Sequence, residues 1–187
     1  MNGLALYFSM HTPMSMPCCD YFLEYVKRRL IPKKEHLIRQ GEICGQFGFV
    51  ETGLLRSYYI RDKKEVNTRF MQDGDCCSLP ESFFYQVPAR ENIQALEDSY
   101  VYYLENRELQ AMYRYFPETN ASGRIWLEER QVLDERRMEA MWMGQARDRY
   151  QWFAEKFPDL MARVPGKHLA SYLGISEVKM SQLIHEG

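Results

Sequence analysis

The residues with most chemistry to offer lie in the run from Gly166 to His185. Leu169, Leu173, Ile175, Met180 and Leu183 are apolar, Ala170 is small, and Gly174 separates two helix-length halves. Two helices that cross steeply need a small residue where they touch. They also need a residue tolerant of positive φ at the tight turn between them. Ala170 and Gly174 meet those needs. Ser176 can cap the second helix through its hydroxyl. The spacing predicts a helix-turn-helix whose outer face presents Ser176, Glu177, Val178, Lys179, Ser181, Gln182 and His185 to the major groove of double-stranded DNA. A plain helical hairpin would use the same packing. Between Val164 and Gly187 the cations Lys167 and Lys179 balance Glu177 and Glu186. Attraction to phosphate therefore falls to Arg147, Arg149, Lys156 or Arg163.

Other reactive side chains point to less. Of the five cysteines, four form adjacent pairs, Cys18-Cys19 and Cys76-Cys77, and no C-x-x-C spacing occurs. Neither a disulfide framework nor a zinc site fits, and reduced, buried thiols are expected. His11, His36, His168 and His185 show no ligand-like arrangement, so no metal and no cofactor is expected. The stretch from Leu37 to Leu104 contains no histidine, and no Ser-His-Asp or Cys-His arrangement stands out. The chain is not expected to be an enzyme.

The elements that must position the C-terminal run read as follows. Apolar residues at Phe22, Leu23, Val26 and Leu30 predict a helix from Cys18 to Ile31, stopped by Pro32. From Leu37 to Leu104 strand-like runs alternate with turn signals: Ile43–Val50, Leu54–Ile60, Val66–Met71, Asn92–Leu96 and Tyr100–Leu104. Regular punctuation of this kind predicts an antiparallel sandwich, barrel or jelly roll. Helical pattern then returns in Arg107–Tyr115, in Glu118–Met143 with Gly123 as its one interruption, and in Ala146–Phe157. The long segment would span about 39 Å at ~1.5 Å per residue. That length in a small chain suggests a partner, with Ile125, Trp126, Val132, Leu133, Ala140 and Met141 as one apolar stripe. Gly144 is a candidate hinge, and the natural boundary lies beside it.

With 187 residues, 45% hydrophobic and 27% charged, the chain is an ordinary globular protein able to bury a core without staples. A net charge of −2 excludes binding of nucleic acid by bulk charge alone. No apolar run reaches membrane-spanning length, and Met1–Pro17 does not read as a secretory signal. No membrane partner is expected, and the expected location is cytoplasmic.

A β-rich first part, a long helix and a terminal helix-turn-helix, in that order, resemble the Crp/Fnr family of transcription regulators. The carrying pieces are the glycine-punctuated segment Gly41 to Gly74, the stretch Ile93-Gln94-Ala95-Leu96-Glu97-Asp98, and Leu169-Ala170-Ser171-Tyr172-Leu173-Gly174-Ile175-Ser176. The chain is similar to the short members found in Bacteroidetes-type bacteria. The resemblance implies an α+β chain in three parts. Residues 1–117 would form a cyclic-nucleotide-binding-like double-stranded β-helix (jelly roll) with flanking helices, residues 118–143 a dimerisation helix, and residues 144–187 a DNA-binding helix-turn-helix. It also implies an effector-sensing β-roll, self-association, and two reading heads on half-sites about 34 Å apart.

Departures from the family pattern sharpen this. Cyclic-AMP-binding members use a Gly-Glu pair for the ribose and an Arg-Ser or Arg-Thr pair for the cyclic phosphate. Here the region runs Asp75-Cys76-Cys77-Ser78-Leu79-Pro80-Glu81-Ser82, then Pro88-Ala89-Arg90-Glu91-Asn92, with Arg90 one position off. A cyclic phosphate buried without its guanidinium is costly, which argues against cyclic AMP. Glu81, Ser82 and Arg90 are left as candidates to line a pocket for an unknown small molecule. The cysteines lack the spacing with which oxygen-sensing members hold an iron–sulfur cluster. In the second helix, Glu177, Val178 and Gln182 stand where family members carry base-reading Arg, Glu and Arg, so a different operator is expected. Ser176, which the family uses towards phosphate, is retained. The alternative is a degenerate relative that works through ligand or protein contacts without reading DNA.

Overall fold

The computed structural model describes residues 13–142 and 144–186. The readings made of His11, of Met143 as a helix end, and of most of Met1–Pro17 lie outside the described residues. Helix α1 (Met16–Tyr25) is followed by strands β1 (Lys27–Ile31), β2 (His36–Ile38), β3 (Gln46–Thr52), β4 (Leu54–Arg61), β5 (Lys64–Gln72) and β6 (Cys76–Cys77). Then come α2 (Pro80–Tyr85), β7 (Asn92–Ala95), β8 (Ser99–Glu105) and the helices α3 (Asn106–Tyr115), α4 (Glu118–Trp142), α5 (Ala146–Lys156), α6 (Pro158–Arg163), α7 (Gly166–Leu173) and α8 (Glu177–Glu186).

The strands make two four-stranded sheets, β1-β8-β3-β6 and β2-β7-β4-β5, antiparallel in every pairing. This is a jelly-roll β-sandwich followed by helices. Phe47, Phe49, Val50, Leu55, Met71, Ile93, Val101 and Leu104 fill the space between the sheets. That burial of apolar faces from both sheets is the main force closing the sandwich. Phe22 of α1, Leu109 and Met112 of α3, and Trp126 of α4 join the same core, with Trp126 meeting Phe47 edge-on at 5.0 Å. The β3–β4 turn requires Gly53. Its φ is +121°, and a Cβ there would lie 2.6 Å from the Cα of Ser99.

Two expectations are corrected. Helix α1 ends at Tyr25, and Lys27–Ile31 is a strand rather than the end of that helix. Its pairing with β8 sets Lys27 opposite Tyr103 and Ile31 opposite Ser99. Arg28 lies 3.9 Å above the Tyr100 ring and bonds Glu51 at 2.7 Å, contacts that exist only in the folded chain and outweigh local helical spacing. Gly123 does not interrupt α4, which runs 25 residues without a break. A Cβ at Gly123 would fall 2.6 Å from the Tyr113 hydroxyl, so the glycine lets α3 and α4 approach.

The five cysteines are free thiols, and four are buried. Burial pushes Cys18 up to about 11 and Cys77 up to about 12, which keeps both as unreactive thiols. Among the described residues, no helix is long and apolar enough to cross a membrane.

Candidate nucleic-acid interface and effector cavity

Helices α7 and α8 are joined by residues 174–176. Gly174 closes α7 at φ +63°, and its N–H reaches the carbonyls of Ala170 and Ser171. The Ile175 N–H bonds the Ala170 carbonyl at 3.0 Å, so the last carbonyls of α7 are satisfied. The Ser176 Oγ accepts the Lys179 N–H at 3.1 Å and caps α8. Leu169, Ala170, Leu173, Met180 and Leu183 are buried. Glu177, Val178, Ser181, Gln182 and His185 are exposed, Val178 at 70%, and Lys179 is half-buried. The expected outer face of the second helix is therefore assembled on one solvent-facing surface. His185 Nδ1 is 2.8 Å from the Ser181 carbonyl, so that ring is held against its own helix.

The surrounding cations are less free than the sequence suggests. Arg147 pairs with Glu186 at 2.5 Å, and Arg149 reaches the Gly174 carbonyl at 3.4 Å. Arg163, expected to meet phosphate, is turned inward instead. It bonds the Gly53 carbonyl at 2.8 Å, Glu97 at 2.9 Å and Asp73 at 3.3 Å. Lys156 is exposed.

The change of character at Gly144 is not a gap in packing. Leu54 of β4 and Phe70 of β5 share one buried cluster with Phe153, Leu160, Leu169, Tyr172, Leu173 and Met180. Strand β5 is a sheet edge, and α7 covers it. The Ser171 Oγ accepts the Asn67 N–H at 3.0 Å and donates to the Glu65 carbonyl at 2.8 Å, satisfying groups that an edge leaves open. Beside it lies a buried polar knot around Arg56. Its guanidinium donates to Gln94, to Glu65 at 2.6 Å, to Asn67 at 3.2 Å and to the Nδ1 of His168 at 2.9 Å. Burial, then the Arg56 charge, pulls His168 down to about 4. The ring is thus neutral near pH 7 and accepts at Nδ1. Arg56 in turn holds the Glu65 carboxyl below the usual range. The sequence signal for this contact was weak: an arginine inside a strand-like run and a histidine on an apolar helix face.

The three candidate pocket residues do come together, beside α2. Glu81, Ser82 and Arg90 all border a cavity of about 370 Å³ between β5, α2 and α4. Their roles differ. The Ser82 Oγ accepts the Cys44 N–H at 2.8 Å and donates to the Val87 carbonyl at 2.6 Å, so it is committed to the chain itself. Arg90 pairs with Glu81 at 3.0 Å, and its side chain is 81% exposed. Ser57, Arg69, Ser78, Arg130 and Arg137 border the same cavity and were not expected from sequence. They come from β4, β5, the link between β6 and α2, and α4, far apart in the chain.

On α4, Ile125 is half-buried, while Val132 and Leu133 are exposed. These last two and Glu128 and Glu129 border a shallow, almost wholly apolar groove.

Residues 28–115 match the cyclic nucleotide-binding domain. No curated protein sequence matches the chain. Its fold is similar to that of the catabolite activator protein of Thermus thermophilus, with 20% identity over 92% of this chain and 83% of that one and a TM-score of 0.57. FixK2 from Bradyrhizobium japonicum superposes with a TM-score of 0.68 at 18% identity, covering 86% and 83%. A protein from Eubacterium rectale assigned to the crp/fnr family of transcriptional regulators gives 0.73 at 13% identity, covering 92% and 83%. At these identities the likeness is one of fold.

Proposed function

From a chain whose residues 28–115 are a cyclic nucleotide-binding domain, and whose structural neighbours are transcription regulators of Crp/Fnr type, we propose a homodimeric, DNA-binding transcription regulator. Its β-roll senses a small molecule other than cyclic AMP. Residues 1–117 would sense, residues 118–143 would dimerise through Ile125, Val132 and Leu133, and residues 144–187 would read DNA. The observation that carries this reading is the pair α7 and α8. Its buried apolar side is pinned to the body, its turn is closed by Gly174 at φ +63°, and its polar side from Ser176 to His185 faces solvent. That is what a helix-turn-helix needs in order to lay its second helix in a major groove.

Two observations support an effector other than cyclic AMP. Arg90 is largely in solvent and paired with Glu81, and the neighbouring Ala89 has no charge to offer. A singly charged cyclic phosphate would lack its usual guanidinium there. The contacts of α7 with β4 and β5 support regulation by population shift, since a ligand that favours one seating of α7 changes what α8 can reach.

The test is a mobility-shift titration with a duplex from the protein's own upstream region. Binding is expected to weaken steeply as salt rises, because phosphate contacts release counterions. A flat response at high protein concentration, with or without cell extract, leaves the alternative of a ligand- or protein-binding module. The inward turn of Arg163 and the Arg147–Glu186 pair are the observations that favour that alternative.

A further inference from the structure

The cavity beside α2 is lined by buried donors with nothing to bind. Ser57 Oγ, Ser78 Oγ, Arg69 Nε and Arg137 Nε meet no hydrogen-bond partner among the described residues. Buried polar groups are ordinarily satisfied, so four orphans around one cavity are a signature of something that completes them. Ser57 and Arg69 face each other across β4 and β5. The Arg69 guanidinium is held by the Ser78 carbonyl at 2.9 Å, and that of Arg137 by the Asn67 carbonyl at 3.3 Å.

Charge separates two of the arginines from the rest. Arg90 is paired with Glu81, and Arg130 with Asp134 at 2.6 Å. Arg69 and Arg137 have no ion-pair partner among the described residues. Burial, then the Arg69 charge, pulls Arg130 down to about 10, as expected where cations crowd.

We propose that this cavity binds a small organic dianion, a phosphate monoester or a dicarboxylate, gripped by Arg69 and Arg137 and met by the hydroxyls of Ser57 and Ser78. The lining sets four arginines against Glu81, Glu91 and Asp134; with Glu91 turned to the Thr68 hydroxyl at 2.8 Å, the two unpaired guanidiniums are left to take one oxyanion group each, whereas a cyclic phosphodiester brings one. Planar guanidinium forks suit such oxyanions geometrically. The grip comes from β5 and α4, not from the Glu81–Arg90 pair. Arg137 also lies 4.3 Å over the Tyr172 ring of α7, so the dianion would touch a residue that seats the C-terminal helices.

This dianion class rests on reading the β-roll cavity as the effector site. The full chain is titrated with inorganic phosphate, succinate, acetate and cyclic AMP at constant ionic strength, and thermal unfolding is followed. Phosphate or succinate is expected to raise the midpoint by about 5 °C at a hundredfold excess over Kd, while acetate and cyclic AMP leave it in place. R69Q and R137Q should each weaken binding at least tenfold. If R69Q does not fold, R137Q decides. No shift with phosphate or succinate overturns the proposal. So does an equal shift with acetate or cyclic AMP, or wild-type binding by R137Q. The unliganded mobility shift with DNA reads the regulator proposal separately, so the two can fail apart.

Discussion

The Nδ1 of His168, in helix α7, lies 2.9 Å from a guanidinium nitrogen of Arg56 in strand β4. A neutral imidazole thus closes a buried polar knot that ties the last third of the chain to the β-sandwich. The relationship has a direct consequence for pH. The ring is held at about 4, below its ordinary 6.5, by burial and then by the Arg56 and Lys167 charges, with Glu65 acting weakly against them. Between those values the unfolded chain binds a proton that the folded chain refuses. Stability should therefore be complete above pH 6.5 and fall towards pH 4, by on the order of 2–3 kcal/mol from this group. Urea unfolding from pH 7.5 to 4.5 measures it. H168Q should flatten that slope, and an unchanged slope would show that His168 is not the group responsible.

Arg56 is the centre of the same knot. R56M leaves Gln94, Asn67, Glu65 and His168 without their common donor. The expected loss is about 3 kcal/mol in the free energy of unfolding, since one removed partner strands several buried acceptors. A loss below about 1 kcal/mol would show that water replaces the guanidinium without difficulty.

Gly174 should not tolerate a side chain. G174A forces φ +63° on an L-residue and brings its Cβ 2.8 Å from the Met141 Cε. A cost of ~1–2 kcal/mol is expected from the backbone alone, the methionine tip being able to shift. DNA affinity should fall with it, because the same turn aims α8.

Val132 and Leu133 stand exposed on α4. If they form the dimer seam, light scattering on the wild type gives twice the chain mass, and V132E/L133E gives monomer or insoluble protein. A wild-type monomer would remove the two-fold geometry from the DNA reading.

Gln182 points outward from α8 and can bond adenine in two places. Q182A should cost ~1–3 kcal/mol against the preferred duplex and relax the choice of base at one position. Uniform weakening across all duplexes would mark it as a phosphate contact instead.

The linear chain was enough to locate the strands β4, β5, β7 and β8, the long helix α4 and the pair α7–α8. Each carries its own local signal: alternation between turns, unbroken helical pattern, or a small residue and a glycine at fixed spacing. Six outward positions on α8 and its cap follow from period alone, because a helix with Met180 and Leu183 buried turns the opposite face out. Tertiary structure decided what depends on distant partners. Lys27–Ile31 became a strand because Tyr100 and Tyr103 were there to receive it. Arg163 turned inward because Glu97 and Asp73 lie across the fold. Arg69 and Arg137 line one cavity although 68 positions separate them, by their numbering in the sequence. Local spacing encodes which face of an element is apolar. Which charges meet across the fold is set by how those faces are brought together.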